Sequence, residues 1–177
     1  MRVVSGKYRG KKLKEFKLES TKPTLDRVKE SIFNLIQFDV IDAVVLDLFS
    51  GTGGLGIEAI SRGARRTVLV DINPEAIKII KENLKGIEGD FVIKHMDYLD
   101  YLRGDNDKYD IVLLDPPYNT DFGVKAIDFI IKNDRLNQGG IIIFETSEEK
   151  EFEFDYDGYK IIKKKYGKVA VYKIEKE

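Results

Sequence analysis

The sequence of 177 residues contains no cysteine, and it has a single histidine, His95. Without cysteine the chain has no disulfide, no thiolate nucleophile and no cysteine-based zinc site, which fits a reducing, cytoplasmic compartment. A single histidine argues against a histidine-built metal site, so we expect the protein to bind no metal. Proline is also scarce, with four residues, and two of them stand side by side at positions 116 and 117.

Long apolar segments are missing as well. No run approaches the roughly 18 apolar residues that a transmembrane helix needs, and Met1-Arg2 is not followed by the apolar core of a signal peptide. Hydrophobic residues make up 42% of the chain and charged residues 34%, which is typical of a folded, soluble domain. We therefore expect one monomeric domain over residues 1–177, away from membranes, with an extension at 1–38 and a core at 39–177.

Acidic residues are scarce at the start of the chain. Residues 1–29 contain ten Lys or Arg and three acids, so their formal charge is +7. The remainder holds the other 20 of the 30 basic residues and 28 of the 31 acidic ones, which gives −8. This asymmetry indicates a cationic face for a polyanion on an acidic body, although a solvated basic segment without a partner explains it equally well.

The two adjacent prolines belong to the motif Asp115-Pro116-Pro117-Tyr118. It follows Ile111–Leu114, an apolar run that is too short for a helix and suits a buried strand. The prolines end that strand because they cannot donate to a β-ladder. A carboxylate, a rigid turn and an aromatic ring thus lie together at the end of a strand. A strand stop with an incidental Tyr is one explanation, whereas chemistry on a planar, amine-bearing ring would use every part of the motif.

Apolar strands and helices alternate along the middle of the chain. Strands are predicted at 44–46, 67–70, 91–93, 111–114 and 140–144, with helices at 55–61, 74–84, 98–103 and 121–132. The start of the chain predicts a small hairpin, with strands 2–5 and 11–16, and a helix at 25–37 with Thr24 as its N-cap. Strands at 159–164 and 169–174 should pair antiparallel at one edge. The expected fold is α/β, one open and mostly parallel sheet with helices on both faces.

Four acids, Asp47, Asp71, Asp97 and Asp115, each follow a different predicted strand. Since the carboxyl ends of parallel strands share one edge, the four carboxylates should converge on the rim where open α/β sheets bind ligands. Acids after strands also cap helices, and capping would explain one or two of the four.

A glycine-rich turn follows the first of these strands. Gly51-Thr52-Gly53-Gly54-Leu55-Gly56 matches the pattern G-x-G-x-x-G, in which glycines let the backbone turn tightly and approach a ligand. Asp71 lies about 20 positions after Gly51, where a carboxylate for ribose hydroxyls is expected. The motif indicates an adenosine-containing ligand and leaves open which one.

Asp47–Gly53 and Asp115–Tyr118 together resemble class I S-adenosylmethionine-dependent methyltransferases that act on exocyclic amines. Residues 2–10, 22–30 and Phe33-Asn34 narrow this to a resemblance to the RsmD family, bacterial enzymes that methylate guanine N2 in 16S ribosomal RNA. The likeness runs to about Glu145 and returns in a closing hairpin at 167–172. It implies a Rossmann-like fold of seven strands, the last one antiparallel, with S-adenosylmethionine as cofactor. It also implies 16S ribosomal RNA, within a small-subunit particle, as partner.

The resemblance assigns roles to individual residues. Asp71 would hold the ribose hydroxyls, Asp97 would accept from the adenine amine, and Asp47 would lie near the amino-acid end of the cofactor. The cofactor-binding set implied in this way is Asp47, Phe49, Gly51, Thr52, Gly53, Asp71, Ile72, Met96, Asp97 and Tyr98. The implied catalytic set is Asp115, Pro116, Pro117 and Tyr118. Asp115 and the Pro116 carbonyl would accept hydrogens of the guanine amine, and Tyr118, where many members have Phe, would stack on a flipped base.

The basic start of the chain is the predicted RNA-binding surface, because cations around an aromatic ring suit phosphates and a stacked base. The residues expected to contact RNA are Lys7, Tyr8, Arg9, Lys11, Lys12 and Arg27. Three other functions stay open. A DNA adenine-N6 methyltransferase would use the same catalytic motif, a non-catalytic RNA-binding protein would use only the basic segment, and a small NAD-dependent oxidoreductase would use only the glycines.

Overall fold

The predicted alternation of strands and helices is present in the computed structural model, which describes residues 1–17, 23–147 and 149–177, without the side chains of residues 23–25. Within those ranges the strands are β1 (Val44–Asp47), β2 (Arg66–Asp71), β3 (Asp90–His95), β4 (Tyr109–Leu114), β5 (Leu136–Ser147), β6 (Tyr159–Tyr166) and β7 (Val169–Lys176). The helices are α1 (Pro23–Leu35), α2 (Gly54–Ser61), α3 (Pro74–Asn83), α4 (Tyr98–Gly104) and α5 (Phe122–Lys132).

All of these strands belong to one sheet, in the order β3-β2-β1-β4-β5-β7-β6. β7 runs antiparallel to both of its neighbours, and the other pairs are parallel. The chain moves outward from β1 to β3 and then returns to the other side of β1 for β4. Open α/β sheets bind ligands where the strand order reverses in this way, and the region at the carboxyl ends of β1 and β4 is here called the crevice. The predicted fold class is confirmed.

Helices cover both faces of the sheet. On one face, Leu102 of α4 and Ile127 of α5 pack in a cluster with Val112 of β4. On the other face, Ile32 of α1 packs in a cluster with Val45 of β1. Burial of one such side chain contributes about 1.5–3 kcal/mol, so these clusters fix the strands whose ends form the crevice.

The first 17 residues form a less regular hairpin than the sequence predicts. Within them a single β-bridge, between Arg2 and Lys12, joins the two arms in place of two full strands. The first arm instead bonds to α2, because the backbone nitrogens of Val4 and Ser5 donate to the buried carboxylate of Glu58 at 2.9 and 3.0 Å. A backbone group that serves another element is not available for a ladder, which explains the short pairing.

Two element boundaries also correct the sequence prediction. α1 begins at Pro23, so Thr24 lies inside the helix and is not its N-cap. Proline suits the first helical position because its fixed φ is helical and its missing N–H is not needed there. β5 begins at Leu136 and not at Gly140. Gly139 within it has a φ of +72°, and the pairing register with β4 shifts between Tyr109 and Ile111. A bulge of this kind lets a strand continue through glycines that would otherwise indicate a turn.

Candidate active site

Three of the predicted acids lie on adjacent strands at the carboxyl edge of the sheet. Asp47 and Asp71 are the last residues of β1 and β2, and Asp115 directly follows β4 on the other side of β1. The charges of Asp115 and Asp71 both help to raise the pKa of Asp47, although burial is the larger cause. The structure therefore brings these three carboxylates together around one crevice.

The glycine-rich turn is held against Asp71. The backbone nitrogen of Gly51 donates to Asp71 Oδ2 at 2.7 Å, and that of Asn73 donates to Asp71 Oδ1 at 2.8 Å. Gly51 has a φ of +56°, which favours glycine, and no atom lies within 4 Å of the position that a Cβ would take. Beyond it, the Thr52 carbonyl accepts from Asn83 Nδ2 at 2.9 Å, which ties the turn to α3. The turn is thus fixed on its inner side and open on its outer side.

Asp47 is the most deeply buried of these acids. Its Oδ2 accepts a hydrogen bond from the backbone nitrogen of Gly56 at 2.9 Å, while Oδ1 has no partner among the described residues. A Cβ at position 56 would lie 2.7 Å from a methyl group of Leu69, so glycine permits this close approach of α2. Loss of hydration raises the pKa of Asp47 to about 7. A buried carboxylate with an unused oxygen suits a cationic ligand group.

Asp97 and its neighbours follow β3, next to Asp71. Asp97 Oδ1 accepts from the backbone nitrogens of Leu99 and Asp100 at 2.9 and 3.2 Å, so this acid caps α4. The backbone nitrogen of Met96 donates to the Asp71 carbonyl at 3.1 Å and keeps the segment beside β2. Helix capping, the alternative role that the sequence analysis left open for acids after strands, therefore explains the position of Asp97. The cap uses only one of the two carboxylate oxygens.

Aromatic and apolar side chains follow the same strand ends. The ring centroids of Phe49 and Tyr98 are 4.9 Å apart, and those of Tyr98 and Phe122 are 5.1 Å apart. Ile72, which directly follows Asp71, is 64% exposed. Large apolar groups at the edge of a polar crevice suit a planar ring. Phe122 was not predicted as part of the site, because it reads from the sequence only as the start of a helix.

The predicted catalytic motif forms the loop after β4. Asp115 is exposed at the surface, and partial loss of hydration of its carboxyl group raises its pKa to about 6. Pro116 is buried, whereas Pro117 is exposed and its carbonyl accepts from Thr120 Oγ1 at 2.7 Å. Tyr118 is 43% exposed, so much of its ring is free to meet another molecule.

A further acid, Glu145, lies beside this motif and was missed by the sequence reasoning. Leu114 of β4 pairs with Phe144 of β5, so Asp115, directly after β4, lies beside Glu145 of the adjacent parallel strand. Glu145 is 6% exposed, and burial together with the charge of Asp115 raises its pKa and favours its neutral form. The Glu145 carboxyl also adds to the effect of burial in raising the pKa of Tyr118. Its only sequence signal was an acid after an apolar run.

The predicted RNA-binding residues lie on the first hairpin and on α1, and the body of the protein engages several of them. Lys7 Nζ is 3.5 Å from a carboxylate oxygen of Glu88, and Lys11 Nζ donates to the Lys85 carbonyl at 2.8 Å. The Tyr8 hydroxyl accepts from the backbone nitrogen of Glu88 at 2.8 Å. The remaining three are exposed: Arg9, Lys12 and Arg27.

A hollow of about 280 Å³ lies at the opposite end of the sheet, lined in part by Asp39, Asp42 and Asp110. Asp110 accepts from the Val44 backbone nitrogen at 2.7 Å and from Asn137 Nδ2 at 2.9 Å, so it serves the strand ends there. In the described parts of the chain, no group of three or more His, Cys, Asp or Glu is placed to hold a metal ion. No helix within them is long and apolar enough to cross a membrane.

Known proteins resemble the chain over nearly its whole length. The model of the family described as Conserved hypothetical protein 95 matches residues 1–175. The candidate rRNA methyltransferase YlbH of Bacillus subtilis is 37% identical to the chain, with 98% of each chain covered. The Ribosomal RNA small subunit methyltransferase D of Haemophilus influenzae is 28% identical, over 98% of this chain and 92% of that protein. The chain belongs to the RsmD family.

Solved structures place this RsmD-family chain in the same fold. The candidate methyltransferase yhhF from Escherichia coli has a TM-score of 0.89 at 26% identity, over 100% of this chain and 98% of that chain. The candidate methylase HI0767 from Haemophilus influenzae has a TM-score of 0.83 at 28% identity, over 99% and 97%. The Rossmann-like methyltransferase fold is thereby confirmed, and S-adenosylmethionine is the cofactor of such methyltransferases.

Proposed function

We propose that this protein transfers a methyl group from S-adenosylmethionine to the N2 amine of a guanine in 16S ribosomal RNA, equivalent to guanine 966. The observation that carries the proposal is the position of Asp115, which follows β4 next to Asp47 at the end of β1, with Asp71 at the end of β2 beyond. The carboxylate proposed to bind the nucleoside and the carboxylate proposed to accept the amine hydrogens thus belong to one site. The name of the Haemophilus influenzae relative supports ribosomal RNA as the substrate. We expect a monomer that acts on small-subunit particles in the cytoplasm.

The rim from β1 to β3 suits S-adenosylmethionine. The unused Oδ1 of Asp47 is placed for the α-ammonium of its methionine part, and the Asp71 carboxylate for the ribose hydroxyls. Gly51 leaves open space beside the backbone for the ligand, and Asp97 Oδ2, which takes no part in the helix cap, suits the adenine amine. When bound, S-adenosylmethionine supplies a methyl group that its positively charged sulfur makes reactive.

Asp115 acts on the amine of the base. An exocyclic amine is a poor nucleophile, because its lone pair is delocalised into the ring. The Asp115 carboxylate and the Pro116 carbonyl accept the two amine hydrogens, which favours a pyramidal nitrogen and localises the pair. S-adenosylmethionine would supply the methyl group to this nitrogen and leave as S-adenosylhomocysteine, and Asp115 would accept the proton that the methylated nitrogen loses. A pKa of about 6 suits this acceptor at neutral pH.

The remaining parts of the site position the base. The exposed ring of Tyr118 stacks on the guanine, which must leave its helix to reach Asp115. Since the methyl donor is already activated, the main contribution of the site is to hold nitrogen, carbon and sulfur in line. The first hairpin is the proposed RNA surface. Exchange of Lys11 and Lys12 for Glu should weaken RNA binding and reduce its salt dependence, and unaltered binding would exclude this surface.

The proposal is tested with a labelled methyl donor. Small ribosomal subunits from a bacterium that lacks its own RsmD-family enzyme, free 16S RNA and duplex DNA are incubated with the protein, and the modified nucleoside is identified by mass spectrometry. We expect N2-methylguanosine in RNA. N6-methyladenine in DNA would replace the proposal with a DNA methyltransferase. RNA binding without any transfer would leave a binding protein, and calorimetry with S-adenosylhomocysteine and with NAD tests the oxidoreductase.

A further inference from the structure

The tip of the β6–β7 hairpin is a cationic feature that the RNA surface described so far does not include. Residues 163–168 contain four lysines and no acid, and they are Lys163, Lys164, Lys165 and Lys168. The strands are joined by a tight turn, because Tyr166 pairs with Val169 and Gly167 has a φ of +61°. The turn makes the four lysines one compact group at the end of the hairpin.

The pairing of β7 places this tip at the same rim as the candidate active site. β7 runs antiparallel to β5, with Ser147 opposite Val169 and Glu145 opposite Val171. The turn therefore lies at the carboxyl end of β5, beside the residue that neighbours Asp115. From β4 to β6 there are three strand spacings, so the tip is about 14 Å across the sheet from the end of β4.

Charge is segregated along the hairpin. At its other end, residues 155–161 and 173–177 contain three lysines and four acids, namely Lys160, Lys173 and Lys176 against Asp155, Asp157, Glu175 and Glu177. Lysines on an edge strand often protect it from pairing with another chain, and this could explain a uniform distribution along β6. Protection of an edge strand does not explain why the excess of lysines is confined to the end of the hairpin at the rim. It also does not explain the lysine within the turn.

The cations of the tip are available to a partner. Lys164, Lys165 and Lys168 are exposed, and no carboxylate oxygen of the described residues lies within 4 Å of their Nζ atoms. Lys163 is different, because it lies 3.8 Å from Glu151 and over the ring of Tyr172. Successive residues of β6 point to opposite faces, so Lys164 and Lys165 give the tip positive charge on both sides.

We propose that Lys164, Lys165 and Lys168 bind the phosphate backbone of the RNA beside the base that enters the crevice. This inference rests on the RNA substrate of the proposed function. The first hairpin packs on α2 and α3, and the lysine tip extends from β6 and β7, which lie beyond β5 on the other side of β1 and β4. RNA bound at the tip would lie along the rim that holds Asp115, so the flipped base would enter the crevice next to this contact.

The test compares neutral variants of the tip with a matched lysine on the same strand. The triple variant Lys164→Gln/Lys165→Gln/Lys168→Gln and the control Lys160→Gln are measured for binding of oligouridine RNA and of small ribosomal subunits over a salt series. Each phosphate contact with single-stranded RNA contributes about 0.7 to the slope of log K against log salt. We expect the triple variant to lower the slope by about 2, to weaken binding roughly tenfold to fiftyfold near physiological salt, and to raise KM more than it lowers kcat.

The outcomes separate this inference from the proposed function. Unchanged S-adenosylhomocysteine affinity and unchanged unfolding in urea show that the triple variant is folded. If the wild-type protein methylates RNA and the triple variant keeps its slope and KM, the inference is overturned while the proposed function stands. If the wild-type protein methylates no RNA but the triple variant lowers the slope with oligouridine, the proposed function fails and the tip remains an RNA contact. An equal loss with Lys160→Gln would also overturn the inference, since it would assign the effect to total charge.

Discussion

The backbone nitrogen of Gly51 donates a hydrogen bond to the carboxylate of Asp71 at 2.7 Å. This bond joins the glycine-rich turn after β1 to the end of β2, so the two halves of the proposed cofactor site are set by one contact. It gives a physical reason for the spacing of about 20 residues between them, because one crossover helix and one strand are needed to bring the acid back beside the turn.

Replacing Asp71 with alanine should weaken the binding of S-adenosylhomocysteine by about 10- to 100-fold. The variant loses a charged acceptor for ribose and for the turn, and such hydrogen bonds are worth about 1.5–3 kcal/mol. Calorimetry measures the affinity. Asp90→Ala, at the opposite end of the sheet, is the control and should bind normally. An Asp71 variant with wild-type affinity would exclude the ribose role.

Replacing Asp115 with alanine should lower kcat by about 100-fold or more and change cofactor affinity by less than about threefold, because the acid acts on the amine and not on the cofactor. Turnover is measured with labelled methyl donor, and affinity by calorimetry. The control is Asp121→Ala, an exposed acid that forms an ion pair with Lys125 on α5. Equal turnover of the Asp115 variant and the wild type would remove this residue from the mechanism.

The ring at position 118 should matter more than its hydroxyl. Tyr118→Phe keeps a stacking surface and should retain kcat/KM within a few-fold. Tyr118→Ala loses stacking worth about 1–3 kcal/mol per base, so its kcat/KM should fall by about 5- to 150-fold. Steady-state kinetics on small ribosomal subunits measure both variants. If the alanine and phenylalanine variants behave alike, the base does not stack on this residue.

The enzyme should be active with the Glu145 side chain in its neutral, protonated form. Burial and the charge of Asp115 raise its pKa, so Glu145→Gln resembles the protonated acid and should keep kcat within a few-fold at neutral pH. Glu145→Ala leaves a gap behind Asp115 and Tyr118 and should lower kcat by at least tenfold, with unchanged cofactor affinity. Steady-state kinetics measure kcat of the glutamine and alanine variants, and calorimetry measures their cofactor affinity. A glutamine variant as inactive as the alanine variant would mean that the charged form is required.

Asp47→Asn should make the free protein more stable at pH 8 and remove part of the pH dependence of its unfolding. The pKa of Asp47 is about 7 in the folded state and ordinary, near 4, in the unfolded chain. Between these values the folded state binds the proton and the unfolded state does not, so stability falls as pH rises through this window. The loss amounts to about 4 kcal/mol at most. Urea unfolding at pH 5 and pH 8 measures it, and parallel changes in both proteins would contradict the raised pKa.

Much of the fold was predictable because its signals are local. The apolar run Ile111–Leu114 and the prolines after it specify a strand and its end within a few residues. The same is true of the glycine-rich turn, whose spacing to Asp71 follows from one strand–helix–strand unit. The RsmD-like motifs then indicated the cofactor and the fold; the solved structures confirmed the fold, and the methyltransferase relatives supported the cofactor.

The sequence by itself thus determined which residues end strands, which turns are glycine-rich, and that acids meet at one edge of the sheet. Only the tertiary structure decided that Glu145 lies beside Asp115, that Phe122 joins Tyr98, and that the lysine tip shares their rim. The physical reason is that each of these contacts depends on strand order and register between distant segments. Local periodicity and turn chemistry carry no information about either.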